Sequence, residues 1–255
     1  MEDENVKPLK FLVWNIRAGG GKRISQILAA IVRHQPDVCG LSEFRGTAAS
    51  QWLSNELKAL GYTHQRVAQG APSDRANVVF VASKIPLKIV RWPGAPSEPG
   101  RWLSVRLATP NPVQFCLVHI PNEVTGRKDD YLDAVTRIAG RLKGRDAIIA
   151  GDTNSGRPDV DEQSPVFGPR YTRWFDALAS HGWEDSFRLV AGNQREYTWH
   201  SPQKDNGFRL DQAFISSSLK DRLTSFKHEW IEAPDTNRRD AVSDHAAMIF
   251  ELVAT

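Results

Sequence analysis

Apolar residues along the chain fall into short blocks with two periods. "KFLVW" (10–14), "VCGLSE" (38–43), "NVVFVAS" (77–83), "KIVRW" (88–92), "RWLSVRLAT" (101–109), "VQFCLVHI" (113–120) and "AIIAGD" (147–152) are brief apolar runs, several set off by Pro or Gly turns, as buried strands are. "FRLDQAFIS" (208–216) and "AAMIFEL" (246–252) repeat the pattern near the C-terminus. Between them the period lengthens. "RISQILAAIVRHQ" (23–35) sets Ile24, Ile27, Leu28, Ile31 and Val32 on one helical face before Pro36 ends it. "TAASQWLSNELKAL" (47–60) opens on Thr47 as N-cap, places Trp52, Leu53, Leu57 and Leu60 on one side, and stops at Gly61. Residues 128–142 and 173–182 give two more helices.

This alternation carries no internal repeat and no low-complexity segment, and "PGAPSEPG" (93–100) is a loop between strands. It predicts a polar N-terminal tail over 1–9 and one α/β domain over 10–255, with two packed sheets flanked by helices. At 40% hydrophobic and 25% charged residues, the 255-residue chain can bury a sizeable core. No apolar run approaches the roughly 20 residues of a membrane helix. "MEDENVKPLK" is neither a signal nor a transit peptide, so a cytoplasmic (or nucleoid or nuclear) monomer with no membrane partner is expected. Cys39 and Cys116 read as buried free thiols. The net charge of +3 is compatible with an anionic substrate without demanding one. Its placement is more informative: Arg17 to Arg23, Arg127-Lys128, Arg170 with Arg173, and Arg238-Arg239 gather in loops.

Polar residues recur where strands end. Asn15 closes "FLVW", Glu43 closes "VCGLS", His119 lies near the end of "VQFCLVH" with Asn122 just beyond, and Asp152 and Asn154 close "AIIAG". Asp211 sits inside "FRLDQAF", and Asp244-His245 precedes the last strand. One such residue is explained by an Asx turn. Six together describe an acidic, hydrogen-bonding pocket with histidine, suited to a hard cation such as Mg2+ and to water attack on a phosphodiester.

The order "VWNIR…LSEFR…LVHIPN…AGDTN…FRLDQAFIS…VSDH" resembles the endonuclease/exonuclease/phosphatase superfamily over about residues 10 to 252. "HGWEDSFRLV", "EYTWHSP" and "NGFRLDQAFISSSL" are similar to its exonuclease III and apurinic/apyrimidinic endonuclease branch. The resemblance implies an α/β (α+β) four-layer sandwich of two packed, mainly antiparallel β-sheets flanked by helices. It implies a Mg2+ cofactor, with Mn2+ as the alternative, and duplex DNA as partner. Glu43 would bind the metal with Asn15 beside it, and Asp244 would orient His245 and reach the metal. Asp152 would activate the attacking water, Asn154 would hold that water or the phosphate, and His245 would stabilise phosphoryl charge with Asp211 in support. Trp199, Phe208 and Leu210 match the positions that line a pocket for a flipped-out abasic sugar. Arg17, Arg45, Arg127-Lys128, Arg157 and Arg170 follow strands whose ends make the site and would line a backbone-binding groove, with Asn122 on the phosphate; Tyr171 would serve there too, whereas Trp174 reads as core.

The chain departs from that branch in carrying His119 where Tyr is usual, Phe44-Arg45 after Glu43, and a shorter segment between Trp199 and Phe208. His119 would contact the phosphate or protonate a leaving oxygen. The expected activity is metal-dependent DNA hydrolysis, as endonuclease or 3′-exonuclease, leaving a 3′-hydroxyl and a 5′-phosphate. Two alternatives stay open. One is a phosphoesterase for RNA, a small phosphodiester or a phosphorylated lipid head group; the other is a non-catalytic nucleic-acid-binding protein.

Overall fold

The computed structural model describes residues 8–125, 127–233 and 236–253. Along the chain run β1 (Leu9–Asn15), α1 (Ile24–His34), β2 (Val38–Phe44), α2 (Ala48–Ala59), β3 (His64–Val67), β4 (Val78–Ser83), β5 (Leu87–Ile89), β6 (Trp102–Leu107) and β7 (Val113–His119). Then follow α3 (Lys128–Arg141), β8 (Ala147–Asp152), α4 (Pro169–Ser180), β9 (Trp183–Asp185), α5 (Ser186–Ala191), β10 (Trp199–His200), β11 (Gly207–Phe208), β12 (Asp211–Ser216), β13 (Leu223–Glu229) and β14 (Ala247–Leu252).

The strands build two six-stranded sheets, ordered β13-β14-β1-β2-β4-β3 and β5-β6-β7-β8-β12-β9, with β10-β11 as a separate ribbon. Each sheet is antiparallel except for one parallel pair, β1 with β2 and β7 with β8. Alternation along the strands splits the apolar residues between two faces. Phe11, Val13, Val79 and Val81 of the first sheet meet Phe115, Leu117, Ile148 and Ala150 of the second in a dry central layer. Leu12, Trp14 and Leu41 turn outward under Ile27, Ile31, Leu53 and Leu57 of α1 and α2. Cys116, Val118 and Ile149 do the same under Val135, Ile138, Trp174 and Leu178 of α3 and α4. Helix, sheet, sheet, helix is the four-layer sandwich expected. Both cysteines are buried and unpaired, and among the described residues no helix is long and apolar enough to cross a membrane.

The helix signals act largely as read. Thr47 Oγ1 accepts from Ser50 N and starts α2. α1 ends at Gln35, whose φ of 49° closes a left-handed cap before Pro36. Trp52 and Leu60, however, are 40% and 46% exposed, so the buried stripe of α2 narrows to Leu53 and Leu57. "FRLDQAFIS" is split: Phe208 belongs to the small ribbon, and the sheet strand begins at Asp211. Arg209 lies at the break. Its buried guanidinium bonds Asp161 through Nε at 2.7 Å and Asp185 at 2.5 Å, and so ties the 155–168 loop to β9.

Candidate active site

The strand register gathers the predicted residues. On three neighbouring strands of the second sheet, His119 lies beside Asp152 and Asp152 beside Asp211. The first sheet adds Asn15 and Glu43 at the ends of its parallel pair, and His245 stands two residues before β14. Asn15 Nδ2 donates to Asp152 Oδ2 at 3.0 Å and to Glu43 Oε1 at 3.4 Å, so one amide links the two sheets. The His245 Nδ1–H pairs with Asp211 Oδ2 at 2.8 Å. Asp152 Oδ2 then faces two imidazoles, His119 Nε2 at 3.7 Å and His245 Nε2 at 3.8 Å.

Backbone detail explains why these side chains are presented here. Gly151 has φ +144°, and a Cβ on it would run into the carbonyl of Val118. The "GD" pair therefore lets β8 hug β7 while Asp152 turns into the site. Asn154 adopts φ +46°, so the chain leaves the extended alternation that would have aimed Asp152 and Asn154 the same way. Instead Asn154 N donates to Asp152 Oδ1 at 2.9 Å, and Asn154 Nδ2 donates to the carbonyl of Ile120, also at 2.9 Å. Glu43 sits at φ +57° where the β2–β4 register shifts. That bulge lifts its carboxylate out of the sheet, to accept from Ala18 N at 2.7 Å.

Burial and charge set the protonation states. Burial, helped by Arg101 and the other imidazole, pushes His119 down to about 3, so it is neutral. Burial works the same way on His245, but Asp211 and Asp152 outweigh it and lift that imidazole to about 10. Burial raises Asp152, and the His245 charge pulls it back. At neutral pH the centre is a carboxylate between a neutral imidazole and an imidazolium.

Among the described residues, Asp152, Asp211 and His245 form the group able to hold a metal, with ligand atoms within 4.8 Å of one another. His245 and Asp211 are already committed to each other, so a hard cation is better matched by carboxylate oxygens. Among the described residues the Glu43 carboxylate accepts from Ala18 N and the Asn15 amide, leaving lone pairs beside Asp152, a donor set that fits a hard divalent cation such as Mg2+ or Mn2+.

A family model described as the endonuclease/exonuclease/phosphatase family matches residues 12–245. The chain belongs to that family. It is thereby a phosphoric diester hydrolase by class, and the site described above lies in the matched region. Comparison with curated proteins by sequence finds no match. Similar solved structures include a 3′ phosphatase from Neisseria bound to a product DNA hairpin, 19% identical, covering 96% of this chain and 99% of that one with a TM-score of 0.75. An AP endonuclease from Archaeoglobus fulgidus is 18% identical, with 96% and 99% covered and a TM-score of 0.78. A 3′-5′ exonuclease from Neisseria meningitidis is 20% identical, with 95% and 99% covered and a TM-score of 0.74. At these identities the likeness shows the endonuclease/exonuclease/phosphatase fold.

Within that fold, some residues stand apart from their expected places. Asp211, not Asp244, orients His245; the Asp244 carboxylate faces Arg17 Nε at 3.8 Å on the rim. Phe208 and Leu210 are buried, leaving half-buried Trp199 as the member of the aromatic set beside His245, with ring centroids 6.4 Å apart. Asn122 is exposed just past β7. Tyr171, expected toward nucleic acid, packs on the core side of α4, as Trp174 does in line with its core reading. The basic loops are largely occupied: Arg45 bonds Asn77 Oδ1 at 2.6 Å, Arg127 pairs with Glu98 at 2.9 Å, and Arg157 pairs with Asp176 at 3.0 Å. Arg23 clips the 16–23 loop by bonding the carbonyls of Arg17 and Val242.

Supporting residues escaped the sequence reading. Ser243 Oγ donates to the Asn15 carbonyl at 2.6 Å and accepts from His245 N at 3.3 Å, an ST turn that "VSDH" could have signalled. Thr198 Oγ1 accepts from the amides of Leu210 and Asp211, both at 3.0 Å, and fixes where β12 begins. Lys128, expected in a loop against the nucleic-acid backbone, instead opens α3 as a buried residue, and its ammonium bonds the Asn154 carbonyl.

Proposed function

We propose that this chain is a Mg2+-dependent phosphodiesterase that hydrolyses DNA, as endonuclease or 3′-exonuclease, by in-line attack of an activated water. The observation that carries the reading is the surroundings of Asp152. One carboxylate oxygen is held by the Asn15 amide and faces both imidazoles, and the other is fixed by Asn154 N. A carboxylate pinned in this way can orient water and take its proton. His245, charged through Asp211, offers its Nε2 proton to a phosphoryl oxygen as negative charge builds there. His119 stays neutral, and with its Nε2 facing Asp152 it can donate a hydrogen bond to that carboxylate or to a phosphoryl oxygen. Glu43 would hold the metal with Asn15 alongside, and Asp244 stands at the rim. When bound, the metal would neutralise phosphoryl charge and lower the pKa of a coordinated water. DNA as substrate is supported by solved structures of the same fold: a 3′ phosphatase bound to a product DNA hairpin, an AP endonuclease and a 3′-5′ exonuclease.

A second reading, a small phosphodiester or RNA as substrate, is favoured by one observation: many loop arginines are already paired with carboxylates. A cleavage panel separates the two, using duplex DNA with and without an abasic site, single strands, RNA and a generic phosphodiester, each with Mg2+ and with chelator. Metal-dependent cutting of duplex DNA is the expected result. Cutting of the generic diester alone would remove DNA from the account, and no cutting of any substrate would remove the enzymatic role.

A further inference from the structure

Beside the catalytic carboxylate lies a cation pair that the mechanism leaves unused. Lys128 opens α3 with its side chain only 3% exposed. Its ammonium bonds the carbonyl of Asn154, donates to Tyr171 Oη at 3.1 Å, and stands 4.5 Å from the centre of that ring. Arg170, in the first turn of α4, lies 5.6 Å from the same ring, and its Nε is buried without a hydrogen-bond partner. Both cations sit where their helix dipoles add positive potential. Asp129 pairs with one side of Arg170.

A single carboxylate answers both. Glu123, on the turn Glu123–Thr125, places Oε1 3.5 Å from Lys128 Nζ and Oε2 3.8 Å from Arg170 Nη1. Those spans are long for charge-assisted bonds, and the Glu123 side chain is 58% exposed. An ammonium withdrawn from water needs an anion, yet this one is loosely held, mostly solvated and mounted on a short turn. A tetrahedral phosphate offers more acceptor oxygens than a carboxylate and would reach both cations at once.

We propose that Glu123 is a placeholder for a backbone phosphate, and that Lys128 and Arg170 form a phosphate-binding subsite next to Asn154 that opens when a DNA strand displaces it. The subsite rests on the reading of the chain as a DNA hydrolase. It places one phosphate of the bound strand between Lys128 and Arg170, at the starts of α3 and α4, in the position that Glu123 now holds.

The test is duplex DNA binding in chelator, followed by fluorescence anisotropy over a range of salt, for the native protein, Glu123→Gln, Arg170→Ala and the double variant. Glu123→Gln should tighten binding by roughly threefold to tenfold. Arg170→Ala should weaken it by a similar factor and reduce the salt slope by about one. In the double variant the gain from Glu123→Gln should at least halve, because the two residues share one site. Full additivity, or an unchanged affinity and slope in Arg170→Ala, would overturn the subsite while leaving cleavage by the native protein intact. Absence of DNA binding and cleavage by the native protein would overturn both the subsite and the function it rests on.

Discussion

Asp211→Asn isolates the imidazolium from the rest of the site. Asn keeps the shape of the carboxylate and an oxygen that accepts from His245 Nδ1, so the 2.8 Å contact survives while its charge is removed. Burial alone would depress His245, and Asp211 is the first of the charges that lift it from 6.5 to about 10. Without Asp211 that imidazole falls back toward or below its ordinary range and is largely neutral at about pH 8. The transition state then loses a charged donor at a phosphoryl oxygen. Donors of that kind are worth about 3–4 kcal/mol, so kcat on the preferred substrate should fall by about 10²–10³. Because the missing species is the protonated one, the ratio of native to variant kcat should shrink as pH falls from about 8 to about 6. Steady-state cleavage across that range measures this, with the His245 ring titrated in parallel by NMR. The reasoning is refuted if the variant keeps kcat within about threefold of native at pH 8 while its His245 has lost the raised pKa.

The same imidazole makes a stability prediction. Its folded-state pKa of about 10 lies above the 6.5 of an unfolded chain, so its contribution is fully present below 6.5 and lost as pH rises through 10. Urea unfolding of metal-free protein should therefore show a fall in stability between about pH 7 and about pH 10.5 that is smaller in His245→Gln; an identical fall in both would contradict it. Arg209→Met should leave Asp161 and Asp185 without their buried cation and lower unfolding free energy by about 3–5 kcal/mol; a loss under about 1 kcal/mol would show that the network is dispensable.

The strands were legible because a core run such as "AIIAGD" has few other uses, and the convergence of their polar ends followed from chain order once two sheets were assumed. What the sequence could not show was which partner each residue takes. Asp244 adjoins His245 in the chain, but the turn closed by Ser243 Oγ on His245 N carries the Asp244 carboxylate to the rim, opposite Arg17. Asp211, delivered by the register of β12 on β8, reaches the ring instead. Lys128 groups with Arg127 as a loop cation because of its charged neighbours, yet it opens α3 and its ammonium sits between Asn154 and Tyr171. Asn154 and Glu43 owe their placement to left-handed backbone, which no apolar period encodes. Short elements such as β9, β10 and α5 carry too few residues to show a period and are held by tertiary contacts.

The central claim is that Asp152 activates the attacking water for metal-dependent hydrolysis. Asp152→Asn tests it directly, with duplex DNA binding and Mg2+-dependent turnover measured on the same preparation. The account predicts binding close to native with turnover reduced by about three or more orders of magnitude. Turnover near the native rate would contradict it.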